Sequence, residues 1–193
     1  MAKNISRFYG MEPKESPHFA RLVNDKRFNA VKAFLQDGRV VVGGQHDASE
    51  RYIAPTVLSN VSLDSPVMKE EIFGPILPVI PWTEKEEVLA TVARNPHPLA
   101  AYVFSNDRNA QRFFTDRFPF GGGCINHCLL HFGNPELTFG GVGNSGMGRY
   151  HGKATFDLFS HHKGLVRAST LFEHGLQFPP YTSLKERIIR WFV

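Results

Sequence analysis

The chain has 193 residues, of which 42% are hydrophobic and 21% charged, proportions typical of globular proteins rather than disordered or fibrous ones. The formal net charge of +4 is not concentrated in a run of Lys and Arg, so the sequence does not indicate nucleic-acid binding. No stretch of about 18 consecutive apolar residues occurs, which predicts no membrane span. Residues 1–7 lack the apolar segment of a secretory signal. Cys124 and Cys128 are too close in sequence for a useful disulfide, so we expect a reducing, cytoplasmic setting.

In chain order, the first third predicts helix followed by strands. Apolar residues from Phe19 to Leu35 recur at a spacing that fits one or two amphipathic helices, which end at Asp37-Gly38. Residues 39–44 predict a buried strand that ends at a pair of glycines. Residues 52–58 predict a second extended run, in which Pro55 favours an edge strand or a bulge.

The middle of the chain alternates strands and helices. Residues 76–82 predict a strand, and Thr83 with Glu86 fits a capping box for a helix that continues to Arg94. Residues 100–105 predict another strand, residues 108–118 a helix, and residues 124–130 a strand preceded by three glycines. Strands separated by helices of this length favour an α/β fold with a parallel or mixed sheet flanked by helices.

The last quarter begins with a glycine-rich stretch, residues 140–148, which predicts a loop because several positions there need glycine geometry or close backbone approach. A short helix near residues 153–159 and an amphipathic helix over residues 183–193 are predicted to follow. We therefore divide the chain into a domain of residues 1–160 and a tail of residues 161–193.

Several motifs resemble those of the aldehyde dehydrogenase superfamily. Residues 68–75, Met-Lys-Glu-Glu-Ile-Phe-Gly-Pro, resemble its EEIFGP signature, and residues 52–56 stand upstream at the usual separation. Residues 139–153 resemble the class 3 form of the late glycine-rich motif, and residues 156–161 follow it as in that class. The resemblance covers about residues 8–180 and identifies residues 1–160 as the carboxyl-terminal part of a catalytic domain of the class 3 or fatty aldehyde dehydrogenase type.

The resemblance implies roles for four residues. Glu71 would bind the nicotinamide ribose of NAD or NADP, and Phe73 would pack near the nicotinamide ring. Phe139 and Asn144 would line the aldehyde pocket. Without the surrounding motifs, we would interpret Glu71 as a solvated carboxylate and Phe73 as a core residue.

The family mechanism also implies what this chain lacks. A cysteine thiolate attacks the aldehyde, a hydride passes to NAD(P), and a general-base glutamate assists hydrolysis to the carboxylic acid. By resemblance, that cysteine, that glutamate and the Rossmann domain all precede Met1, and neither Cys124 nor Cys128 is the nucleophile. The resemblance therefore predicts an aldehyde dehydrogenase polypeptide that contains no catalytic residue and is inactive alone.

Two other functions are consistent with the sequence. The chain could be a non-catalytic interaction module that pairs with an intact subunit or the missing half, or forms a homodimer through the tail. Alternatively, Cys124, His127, Cys128 and His131 would share one face of a helix, as a zinc site requires. A strand would instead direct both histidines away from both cysteines, so we expect no metal.

The glycine-rich loop and the remaining histidines suggest further chemistry that we reject. Residues 141–146 fit GxGxxG, but no strand precedes them and no acidic residue follows at the spacing of a dinucleotide-binding fold. His151, His161 and His162 lack an identifiable base partner in the sequence, so we expect structural or interface roles for them.

Overall fold

The structure is a computed structural model that describes residues 1–171 and 175–192. Its α-helices are α1 (Ala2–Tyr9), α2 (Asp25–Ala33), α3 (Lys85–Arg94), α4 (Arg108–Asp116), α5 (Leu130–Gly133), α6 (Gly152–Leu158) and α7 (Ser183–Phe192). Its strands are β1 (Arg39–Val42), β2 (His46–Asp47), β3 (Tyr52–Ile53), β4 (Thr56–Ser59), β5 (Ile76–Pro78), β6 (Ala100–Val103) and β7 (Gly122–Ile125). Short 3-10 helices occupy Pro13–Glu15, Phe34–Gln36, Pro66–Met68, Gly143–Ser145 and Gly175–Gln177.

The strands of the described residues form three sheets, of which the largest is mixed. In the three-stranded sheet β4 is central, antiparallel to β1 and parallel to β5. Strands β2 and β3 form an antiparallel pair, and β6 and β7 a parallel pair connected through α4. The predicted fold class, an α/β structure with sheets flanked by helices, is confirmed.

The hydrophobic core lies between α2 and the strands that follow it. Helix α2 contributes Phe28 and Val31, and the adjoining 3-10 turn contributes Phe34 and Leu35. They pack against side chains of the strands and of the next 3-10 helix: Ile53, Leu58, Val67 and Ile76. Beyond Ile76, no hydrophobic side chain of the described residues is fully buried. The amino-terminal part of the fold therefore holds the packed core.

The predicted helix before residue 24 is wrong. Leu22 donates its backbone N–H to the carbonyl of Arg51, and the Arg21 guanidinium donates to the Lys14 carbonyl. This segment therefore forms hydrogen bonds with other segments of the chain instead of a helix. The helix begins only after Asn24, whose side chain accepts from the backbone N–H of Arg27 at 2.8 Å.

The strand predictions of the first third need two corrections. Strand β1 is not buried, since Val40 and Val41 are 40% and 53% exposed. The prediction is wrong because a run of valines does not specify whether another layer covers the strand. The run over residues 52–58 is divided at Pro55 into β3 and β4, which pair with different strands. Strand β4 occupies the centre of its sheet, not an edge.

The remaining elements differ mainly at their ends. The capping carboxylate of α3 belongs to Glu87 rather than Glu86 and accepts from the backbone N–H of Glu84 at 3.2 Å. The strand predicted for residues 124–130 ends at Ile125, since Asn126 has a φ of 56° and its side chain bonds both the N–H and the carbonyl of Ser105. The last helix agrees with the prediction up to Phe192, and Val193 lies outside the described residues.

A large part of the apolar side chains faces solvent. The chain exposes 14649 Å², whereas a compact monomer of 21.7 kDa exposes about 9,200 Å² by the usual scaling with mass. Of the seventeen phenylalanines, Phe28 and Phe34 are in the core, while Phe73, Phe104 and Phe159 are at least 68% exposed. Within the described ranges, no helix is long and apolar enough to cross a membrane.

An ion network fixes the chain before α2 against the β2–β3 hairpin. The Lys14 ammonium contacts Asp47 at 2.8 Å and Glu50 at 2.9 Å, and Glu50 also pairs with Arg21 at 3.1 Å. Hydrogen bonds from Lys14 lower the pKa of both carboxyl groups, and those carboxylates raise the pKa of Lys14. The network is partly exposed, so salt weakens it.

Replacing Lys14 by Met is expected to destabilise the fold at neutral pH and to have a smaller effect in acid. Because the folded-state pKa of Asp47 and Glu50 is below the ordinary values of 3.8 and 4.5, their stabilisation is present above those values and is lost as the pH falls. The urea midpoints of wild type and K14M should therefore converge between about pH 7 and about pH 2. Exposed Lys32 has no ion-pair partner in the described residues, so K32M is the control; an unchanged K14M difference in acid would contradict the prediction.

Candidate functional site

The segment that contains Glu71 and Phe73 is fixed from behind by Arg27. The Arg27 guanidinium donates to the backbone carbonyls of Glu71 and Ile72 and lies 5.7 Å from the centroid of the Phe73 ring. Arg27 comes from the first turn of α2, whose next residue, Phe28, is a core side chain. The packed core thus positions the loop through Arg27 and through Ile72, which packs directly against the core.

The backbone of this segment is tightly constrained. Phe73 has a φ of 42°, in the left-handed region that non-glycine residues rarely adopt. At Gly74, a Cβ atom would lie 2.7 Å from a methyl carbon of Val31, so only glycine allows the loop to approach α2 this closely. With this backbone the Phe73 ring lies outside the core and is 70% exposed.

The side chains of Glu71 and Phe73 face open space. In the part of the chain that the structure describes, the exposed Glu71 carboxylate has no hydrogen-bond or ion-pair partner. Phe73 borders an open groove of about 610 Å³ along α2, which is lined by both apolar and polar side chains: Arg21, Leu22, Val23, Asn24, Lys26, Arg27 and Ala30. An unpaired carboxylate can accept hydrogen bonds from the polar groups of a ligand. An exposed aromatic ring of the same loop can pack against an apolar part of that ligand.

Phe139 lies in an aromatic cluster at the start of the glycine-rich loop. Its backbone exchanges two hydrogen bonds with Tyr150, of 2.9 and 2.8 Å, which close the loop at its base. Its half-buried ring is 5.0 Å from the Phe132 ring and lies nearly parallel to the His151 ring at 6.2 Å, measured between centroids. His151 is thus in contact with the rings of this cluster, and its structural or interface role stays a prediction.

Asn144 lies at the tip of the same loop, in the 3-10 helix Gly143–Ser145, with its side chain exposed. Glycine is required beside it, since Gly143 has a φ of 58° and a Cβ atom there would lie 2.5 Å from His97. Arg149 fixes the far side of the loop by donating to the Gly121 carbonyl at 2.6 Å. Over residues 1–171 and 175–192, no hydrogen bond or ring contact joins Phe139 or Asn144 to the Phe73 segment.

The structure brings together one pair that the sequence analysis separates. His131 is in α5 rather than a strand, and its Nδ1 atom lies 3.6 Å from the Cys124 sulfur. Its ring is buried, and its Nε2 atom has no hydrogen-bond partner in the described residues. The predicted divergence of these two side chains is wrong because the strand ends at Ile125. No group of three metal-ligating side chains occurs among the described residues.

Comparison with known proteins assigns the family. The sequence model of the aldehyde dehydrogenase family matches residues 5–165. The chain belongs to the aldehyde dehydrogenase family. It is 45% identical over 183 residues to the 4,4'-diaponeurosporen-aldehyde dehydrogenase of Staphylococcus aureus, covering 94% of this chain and 40% of the relative. It is also 44% identical over 191 residues to human aldehyde dehydrogenase family 3 member B1, covering 98% of this chain and 41% of that relative. The class 3 resemblance is thus confirmed.

Solved aldehyde dehydrogenases share the fold. The substrate-bound AldH of Staphylococcus aureus is similar with a TM-score of 0.86 and 44% identity, over 99% of this chain and 42% of that one. The NAD+ complex of an aldehyde dehydrogenase from Bacillus cereus is similar with a TM-score of 0.68 and 29% identity, over 79% of this chain and 31% of that one. The aldehyde dehydrogenase chain described here thus spans about 40% of the length of these curated relatives.

Arg27 is the residue of this region that the sequence analysis missed, because nothing in its local pattern links it to residues 44 and 45 positions away. Replacing Arg27 by Met is expected to release the Glu71–Phe73 loop while leaving the core packed. A protease that cleaves after glutamate should cut R27M faster at Glu70 and Glu71 than wild type. K26M, at an exposed neighbour, is the control. Equal cleavage rates, with unchanged unfolding midpoints, would show that Arg27 does not hold the loop.

Proposed function

We propose that this chain supplies the cofactor-facing and substrate-facing surfaces of an NAD(P)-dependent aldehyde dehydrogenase, in which aldehydes are oxidised to carboxylic acids. The observation that carries the proposal is the Arg27-supported loop, which exposes an unpaired Glu71 carboxylate and, two residues later, the Phe73 ring. The likeness to a Bacillus cereus aldehyde dehydrogenase solved with NAD+ supports it.

Glu71 has the chemistry required of a ribose ligand. A carboxylate can accept hydrogen bonds from two neighbouring hydroxyl groups, as a ribose 2′,3′-diol presents them. Because the guanidinium of Arg27 is engaged by backbone carbonyls, it does not compete for the Glu71 side chain. Glu71 thus orients the cofactor, and takes no part in proton transfer.

Phe73 provides an apolar wall at the same place. NAD or NADP, when bound, supplies the hydride acceptor, and its nicotinamide ring needs a surface that limits its orientations. The Phe73 ring is held outward by its positive φ and by the Arg27 guanidinium behind it. This support reduces the freedom that the ring would lose on binding.

Phe139 and Asn144 are proposed to line the aldehyde pocket. The half-buried Phe139 ring and the aromatic cluster around it suit an apolar aldehyde, and the exposed Asn144 amide can donate to a carbonyl oxygen. The relative from Staphylococcus aureus is named for 4,4'-diaponeurosporen-aldehyde. These two residues would act with a nucleophile and a general base that this chain does not contribute.

A second candidate function, pairing with an aldehyde dehydrogenase subunit or with the remainder of one, is favoured by the exposed apolar surface. The chain exposes 14649 Å², well above the value of about 9,200 Å² for a compact monomer of its mass. Leu77, Phe104 and Ile125 are about half exposed or more although they lie in or beside strands.

A cytoplasmic setting fits Cys124 and Cys128, neither of which forms a disulfide.

The purified chain is expected to be inactive alone. With hexanal or benzaldehyde and either nucleotide, a sample shown to be folded by circular dichroism should form no NAD(P)H, because Glu71 and Phe73 orient a cofactor without supplying a nucleophile. The measurement is absorbance at the reduced-nicotinamide band. Turnover that disappears in C124S or C128S would overturn this and identify one of these cysteines as the nucleophile.

Within a complete enzyme, Glu71 should control cofactor binding. A chimera in which this chain replaces the matching segment of the Staphylococcus aureus relative restores the missing parts. E71Q in that chimera should raise the KM for the nucleotide roughly ten-fold to a hundred-fold, as expected for loss of charge-assisted hydrogen bonds. E70Q, at the neighbouring exposed carboxylate, is the matched control. Equal effects of E70Q and E71Q would contradict the assignment of Glu71.

A further inference from the structure

The connection between α3 and β6, residues 95–99, is hydrogen-bonded to the chain that leads into the Glu71–Phe73 loop. The Asn95 side-chain amide donates to the backbone carbonyl of Met68 at 2.9 Å. Met68 ends a 3-10 helix, and the end of a helix leaves carbonyl groups without helical partners. Asn95 therefore supplies a donor that fixes this helix end, three residues before Glu71.

The same α3–β6 connection packs against the glycine-rich loop through His97. The φ of His97 is 63°, in the left-handed region, and its half-buried ring lies against the α-carbon of Gly143. A Cβ atom on Gly143 would be 2.5 Å from the His97 Nδ1 atom, so the contact requires glycine. Gly143 directly precedes Asn144, the residue at the tip of the loop.

Backbone hydrogen bonds fix the end of the α3–β6 connection beside the base of the glycine-rich loop. The carbonyls of Pro98 and Leu99 accept from the N–H groups of Gly121 and Gly122 at 3.0 and 3.1 Å. The Gly121 carbonyl in turn accepts from Arg149, which follows the loop in sequence. The connection is thus attached to both parts of the candidate site, and a shift at one part is transmitted to the other.

We propose that the α3–β6 connection sets the position of the glycine-rich loop relative to the Glu71–Phe73 loop, with Asn95 and His97 as positioning residues. This inference rests on the proposed function, in which one loop faces the cofactor and the other faces the aldehyde. Hydride transfer requires the reacting atoms to be held close together, and a displacement of about 1 Å can lower the rate about 100-fold. The role of both residues is indirect, because each acts through the loop that it contacts.

Amide hydrogen exchange of the intact 193-residue chain tests this connection without turnover. N95A removes the hydrogen bond to Met68 and leaves the His97 ring in place. Because the connection couples the two loops, the amides of Ser145 and Gly146, which donate within the glycine-rich loop, should exchange roughly five-fold faster in N95A.

The reciprocal variant is H97G, since glycine adopts the positive φ freely and lacks the imidazole. The amides of Lys69 and Glu70, which both donate to the Pro66 carbonyl, should exchange roughly five-fold faster in H97G. H97N is the second variant, because asparagine also tolerates a positive φ without supplying the ring.

N109A and H18G, at an exposed asparagine and an exposed histidine outside the connection, are the matched controls and should leave all four amides unchanged. Neither Asn95 nor His97 belongs to the hydrophobic core, so circular dichroism should show every variant folded.

Kinetics of the chimera with the Staphylococcus aureus relative separate positioning from binding. N95A and H97G should leave the KM values for nucleotide and aldehyde within about two-fold and lower kcat roughly ten-fold. Deuterium at the aldehyde carbon should slow both variants more than the parent, because hydride transfer has become the slower step. E71Q tests the proposed function separately: an unchanged nucleotide KM in E71Q would count against that function, and the exchange result would still decide the coupling.

Two outcomes would overturn the inference. In the first, the N95A effect is confined to Lys69 and Glu70, or the H97G effect to Ser145 and Gly146, which would show that the two loops are not coupled. In the second, a variant raises one KM value while kcat stays unchanged, which would show that the residue serves only the loop that it contacts.

Discussion

The packing of Phe28 and Val31 against Ile53, Leu58 and Ile76 is the interaction on which the rest of the structure depends. It fixes α2 on the central strands by removing apolar area from water, at roughly 25 cal/mol per Å². The same helix also positions the Glu71–Phe73 loop, because Arg27 donates hydrogen bonds to backbone carbonyls of that loop. This loop is therefore an extension of the core rather than an independent surface element.

The later part of the fold is organised by polar and aromatic contacts instead of a buried core. Asn126 closes the β6–β7 pair through Ser105, Arg149 anchors the glycine-rich loop to the Gly121 carbonyl, and Phe139 packs with neighbouring rings. Such contacts define local geometry, but they bury little apolar area and contribute less to global stability.

Two exposed surfaces of the chain have different chemistry. The loop at Glu71 and Phe73 combines one carboxylate with one aromatic ring, which suits a small polar ligand with an apolar ring system. Helix α7 combines exposed large apolar side chains with two arginines, Arg187 and Arg190. The α2 groove that Phe73 borders is open and has a volume of about 610 Å³.

The sequence by itself determined the family, the α/β class, most helices and the glycine-rich loop, because long motifs and local turn chemistry are encoded in neighbouring residues. It predicted where Glu71, Phe73, Phe139 and Asn144 occur along the chain, and their roles in the complete enzyme remain predictions. Only the tertiary structure decided that β1 is exposed, that the run at Pro55 forms two strands, and that His131 meets Cys124. These features depend on contacts between residues distant in sequence, which no local pattern contains.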